Sequence, residues 1–144
     1  MARTSARRGT WPVVALVVWS LYVWGTRISN ALGDPALSIG GKAFSGGLSL
    51  TFVALAVAGI AIVARSWSRA RTPIEVGVLR AFAGWTVAVW VVRVPMIVVA
   101  DHVVGFKVVH AMLGVISVVL AVWVWRTASA STPAEESLQP AARS

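Results

Sequence analysis

The chain contains no cysteine. Disulfides, thiolate metal sites, iron–sulfur ligation and thiol nucleophiles are therefore excluded, and the redox compartment is left open. Acids are almost as scarce, with Asp34, Glu75, Asp101, Glu135 and Glu136 set against 13 lysines and arginines. None of them falls inside a long apolar run. The chain thus lacks an intramembrane carboxylate pair for acid–base work, a metal-binding acid cluster and an acid for proton coupling. The sequence also has no internal repeat, no heptad run and no glycine-rich phosphate loop, and no serine sits in a nucleophile elbow. A catalytic site or a metal site is not expected.

What the sequence has in abundance is apolar residues: 58% of 144, with a mean hydropathy of +0.79. That is too apolar for a soluble domain of this length and places the chain in the membrane class. The formal charge of +8 would raise the question of nucleic acid in a soluble protein. Here the basic residues gather at the ends of apolar runs, as orientation in an anionic membrane requires, so the expected partner is the lipid bilayer and not nucleic acid. The excess of arginine over lysine and the Ala/Val-rich apolar set hint at a GC-rich bacterial genome, hence a bacterial plasma (inner) membrane.

The pattern predicts an all-α protein, a four-helix transmembrane bundle between short disordered ends. Residues 1–10 form a basic N-terminal segment with Arg3, Arg7 and Arg8. A single membrane domain covers 11–126, with spans at about 11–26, 47–64, 81–100 and 103–125. A solvated tail follows over 127–144. Each span can cross about 30 Å of hydrocarbon. Pro12 falls in the first turn of span one, where its missing N–H is harmless, and Trp11 and Trp24 read as interfacial anchors. A competing reading makes span one a signal peptide cleaved after Ser29-Asn30-Ala31. Residues 27–46 read as the longest loop, from Asn30, Gly33, Asp34, Pro35, Gly40 and Gly41. The connector 65–80 carries Arg65, Arg69, Arg71 and Arg80, so the positive-inside rule sets both termini in the cytoplasm.

Two packing stripes are expected. In span two, Ala54, Ala58 and Ala61 share a face beside Gly59, and small residues let helix backbones approach in lipid. In span four, Lys107, His110, Gly114, Ser117 and Ala121 recur at intervals of three and four, forming one polar or small stripe that should face protein.

Arg93 is the unusual residue. An arginine at a helix centre costs roughly 2.5–3.5 kcal/mol on the translocon scale, less off-centre. It lies about 12 Å below the turn at Asp101 and His102, and His110 on the returning helix reaches nearly the same depth. Arg93, Lys107 and His110, with Asp101 and His102 at the rim, are thus candidates for an outward-facing basic pocket that takes a carboxylate, phosphate or headgroup. The bland alternatives are that Arg93 snorkels to the surface, pairs with Asp101 or stacks on Trp90. Pro95 frees a backbone carbonyl nearby.

The expected function is non-enzymatic: an accessory or structural membrane subunit with a larger membrane partner or a homo-oligomeric state. One alternative is a carrier or binding protein for an anionic solute. Another is a b-type cytochrome in which His110 ligates haem, together with Met96 or with a second copy of His110. No cofactor is expected under the first two readings.

Overall fold

The computed structural model describes residues 10–35, 38–67 and 69–129. Within them the chain is all-helical, with four helices: α1 (Thr10–Gly33), α2 (Ile39–Arg65), α3 (Pro73–Val99) and α4 (Val104–Ser129). All four are long and apolar enough to cross a membrane. No more than 33% of any span's apolar window is buried within the chain. The remaining faces carry Val18, Leu50, Val57, Val91, Val92, Val115 and Val119 outward. Such a surface is stable only in hydrocarbon.

The helices extend further than the hydropathy pattern alone predicts. The expected loop at 27–46 is largely helical: α1 continues through Asn30 to Gly33, and α2 begins at Ile39. In lipid an unpaired backbone group costs several kcal/mol, so a helix persists through weak formers such as Asn30, Gly40 and Gly41. Ser38 caps α2 by accepting from the Gly41 N–H at 3.1 Å. The connector at 65–80 is likewise shorter than expected. Thr72 and Glu75 form a capping box that starts α3 at Pro73, and Glu75 also pairs with Arg69 at 2.6 Å. That ion pair holds the Arg69 guanidinium above its ordinary pKa. Arg80 therefore belongs to α3, where its guanidinium lies 5.7 Å from the Trp125 ring. The first three residues assigned to the tail, 127–129, close α4; residues 1–9 and 130–144 of the predicted ends lie outside the described residues.

Helices α1 and α2 pack as one hairpin and α3 and α4 as another, and α1·α4 and α2·α3 contacts join the two. The core is Val13, Leu16, Val17, Trp24, Phe52, Ala56, Ile62, Val76, Leu79, Phe82, Ala83, Ala121, Val124 and Ala128. Most of these lie toward the end that carries the α2–α3 connector. The packing is correspondingly tight there: a methyl group on Gly59 would come within 2.8 Å of Val17 Cγ2.

The buried face of α2 is not the alanine stripe. Ser45, Ser49, Phe52, Ala56, Gly59 and Ile62 turn inward, whereas Ala54 is exposed and Ala58 and Ala61 are half-buried. The aromatic Phe52 fixes the helix rotation, because burying it gains more than burying a methyl group. On α4, Gly114, Ser117 and Ala121 are all buried. Trp24 also differs from its expected role, being a core residue only 2% exposed and stacked on Phe52 at 4.0 Å.

Candidate functional site: a basic cavity between α1, α3 and α4

At the end carrying the two short turns the helices are less closely packed and enclose a cavity of about 520 Å³. Its inner boundary follows from the sequence. Trp19 of α1 donates its indole N–H to Ser117 Oγ of α4 at 2.9 Å, tying the two helices together. Closer to the turns, the bulk of Trp24 and Trp90, whose rings lie 6.4 Å apart, holds the helices away from one another. Gly114 lets α4 approach α3: a methyl group there would lie 2.6 Å from Val94 Cγ2 and 3.0 Å from Trp90 Cε3.

Four basic or acidic side chains line the cavity: Arg27 from α1, Asp34 just beyond its end, Arg93 from α3 and His110 from α4. Thr26 and Asn30 of α1 and Ser45 of α2 add polar groups, and Tyr22, Val23, Phe106, Val109 and Leu113 supply apolar wall. Arg93 and His110 both line this cavity. Arg93 makes no hydrogen bond or ion pair within the described residues. Arg27 rests over the Trp24 ring at 5.9 Å and has no ionic partner either. Asp34 is the single carboxylate in the lining.

Arg27 Nε and Trp90 Nε1 are buried donors with no hydrogen-bond partner. Each such group costs about 1–3 kcal/mol when left unsatisfied. His110 is held differently, with Nδ1 2.9 Å from the Phe106 carbonyl. A carbonyl oxygen can only accept, so Nδ1 carries the proton in that bond. Nε2 is then an acceptor in the neutral ring and a second donor in the imidazolium.

Three of the rim candidates are elsewhere. Lys107 donates to the Val98 carbonyl at 2.8 Å, satisfying a backbone group in the last turn of α3, and does not line the cavity. Such a bond to a terminal carbonyl is a common use of lysine at a helix C-terminus. His102 and Asp101 are exposed at the turn, and His102 packs on Phe106, which packs in turn on His110 at ring separations of 4.6 and 3.9 Å. Arg93 neither pairs with Asp101 nor stacks on Trp90.

In their place α1 contributes Arg27 and Asn30, and the chain just beyond it Asp34, which a loop at 27–46 had removed from consideration. The signal was present as spacing: Val23, Arg27 and Asn30 recur at four and three residues, one helical face continued past Thr26. The pocket is thereby formed between span one and the α3–α4 hairpin and not within that hairpin alone.

The donor set does not assemble a metal site, since no three His, Asp or Glu side chains cluster among the described residues. For haem, His110 is the one imidazole in the lining. Met96 is 63% exposed and, like His102, is absent from the wall. What the arrangement can do is donate hydrogen bonds and positive charge to an anion. Compared with models of protein families, with curated proteins and with solved structures, the chain matches none.

Proposed function

We propose that this chain is a small, non-enzymatic protein of a bacterial plasma membrane that binds an anionic group in the cavity between α1, α3 and α4. Four apolar helices support the membrane setting. Both termini lie in the cytoplasm on the charge pattern of Arg65, Arg69 and Arg71 against the almost uncharged α3–α4 turn, which makes the cavity outward-facing.

The observation that carries the reading is the pair of guanidiniums, Arg27 and Arg93, in one cavity without ionic partners. Like charges at close quarters in a medium of reduced dielectric repel, and an anion between them relieves that repulsion. A guanidinium also binds a carboxylate or phosphate through two parallel hydrogen bonds, which makes it the side chain suited to this ligand. The protein then serves as a binding or accessory subunit, alone or beside a larger membrane partner. A carrier role uses the same cavity and requires in addition that it open to the other face.

The test is a titration of purified protein in uncharged detergent with hexyl phosphate, followed by tryptophan fluorescence, since Trp24 and Trp90 form part of the wall. Saturable quenching is expected, and Arg27→Leu and Arg93→Leu each abolish it while helical content is unchanged. Quenching indifferent to both substitutions contradicts the reading. Turnover of a substrate that is lost in His110→Ala contradicts its non-enzymatic part.

A further inference from the structure

The charged groups of the cavity wall lie in one region. Along α1 and just past its end the polar lining residues Thr26, Arg27, Asn30 and Asp34 lie toward the turn, whereas Tyr22, Val23 and Trp24 lie deeper. On α4, Leu113 lies one turn below His110, whereas Val109 and Phe106 lie nearer the turn. Trp90 lies one turn below Arg93 on α3, and is 3% exposed. The basic groups therefore form a collar, and beneath it lies an apolar floor.

Volume decides what such a shape holds. The cavity's 520 Å³ compares with about 30 Å³ for one water in the liquid. A bare phosphate or carboxylate in the collar leaves most of that space to water against apolar walls, which gain nothing from it. Pockets of roughly 300–1,000 Å³ hold ligands of drug size. An occupant that satisfies both regions has an oxyanion at one end and hydrocarbon at the other.

We infer that the ligand is an anionic amphiphile: a carboxylate or phosphate head held by Arg27 and Arg93 beside His110, with an apolar tail against Tyr22, Val23 and Leu113. This rests on the anion-binding reading of the same cavity and adds the tail. Tyr22, at the level of the floor, is 65% exposed, so the floor is open beside α1 toward the surrounding hydrocarbon. A tail can enter sideways from the bilayer without crossing water. Hydrocarbon gains little on passing from lipid to an apolar wall. The head therefore supplies the selectivity, and the tail keeps the ligand in the membrane where the site is.

Native mass spectrometry of the full chain released from an uncharged detergent tests this. One dodecyl phosphate per chain is expected at a concentration where tenfold more inorganic phosphate leaves the protein unliganded. Arg27→Leu and Arg93→Leu each reduce that occupancy at least tenfold, the loss of a charge-assisted contact worth about 1.5–3 kcal/mol. Arg93→Gln, which keeps a polar side chain, is read alongside in case either leucine variant alters folding. A phosphatidylglycerol adduct already present in the unsupplemented sample supports the class and identifies a membrane lipid as its source. An adduct formed only with added dodecyl phosphate supports the class and identifies a free amphiphile. Inorganic phosphate bound as tightly as dodecyl phosphate, and lost with either arginine, overturns the tail while the anion site stands. Adducts that survive all three substitutions overturn both, and a bound mass with a Soret band replaces them with haem at His110.

Discussion

Trp19 and Ser117 close the bundle: the indole N–H of the first helix donates to the hydroxyl of the last at 2.9 Å, across 98 positions of the sequence. The same hydroxyl donates back to the Leu113 carbonyl of its own helix at 2.7 Å, so Ser117 is both donor and acceptor. This bond marks the boundary between the tightly packed half of the molecule and the half that contains the cavity.

Removing the bond should loosen the α1–α4 contact without unfolding the protein. A double-mutant cycle of Ser117→Ala and Trp19→Phe is expected to show a coupling of about 0.6–1.7 kcal/mol, the range for hydrogen bonds between membrane helices. Reversible unfolding in mixed micelles measures it. Additive effects would mean that the two side chains do not interact in the folded protein.

Gly114 is required for the close approach of α3 and α4, and Gly105 on the same helix is not. Gly114→Ala drives a methyl group into Val94 and Trp90. It should cost about 1–3 kcal/mol, as overpacking does. Gly105 has nothing within 4 Å of the added carbon, so Gly105→Ala should be neutral or slightly stabilising. Midpoints from the same unfolding assay check the contrast, and equal effects at the two positions would contradict the packing described here.

The start of α3 is fixed by Thr72, whose hydroxyl accepts from the Glu75 N–H while the Glu75 carboxylate accepts from the Thr72 N–H. Thr72→Ala should cost about 1 kcal/mol. Faster hydrogen exchange should be confined to the first turn of α3. Exchange that spreads along the whole helix would mean that the cap holds more than its own turn.

The sequence made the helix count legible, because it follows from counting residues between charges, and Arg93 and His110 line one cavity. Gly114, Ser117 and Ala121 were legible as a buried stripe for the same reason. The extent of α1 was not. Asn30, Gly33 and Pro35 look like turn residues on an aqueous scale, but lipid removes the water that would stabilise an open backbone, and the helix runs on to Gly33. That one extension hid Arg27, Asn30 and Asp34 from the site. Lys107 was misplaced for a different reason. Helical spacing puts it on the same face as His110, but its long side chain reaches back to the Val98 carbonyl, and spacing cannot register that reach. The rotation of α2 was set by Phe52, which outweighs the alanines beside it.

Arg93 separates stability from function more sharply than any other residue in the chain. A guanidinium within a span opposes insertion, so Arg93→Leu should insert and fold at least as well as the parent, a gain of up to about 2.5–3.5 kcal/mol on the translocon scale. Raised stability together with lost binding is the pattern of a residue kept for a ligand.

The most direct measurement is therefore the melting temperature of the parent and of Arg93→Leu in uncharged detergent, each with and without dodecyl phosphate. The parent should melt higher with the ligand, by the mass-action gain of about 2.7 kcal/mol at a hundredfold excess over Kd. The variant should match or exceed the unliganded parent and show no response to the ligand. A variant that melts lower on its own, or that gains as much from dodecyl phosphate as the parent does, would contradict the claim that Arg93 holds an anion in this cavity.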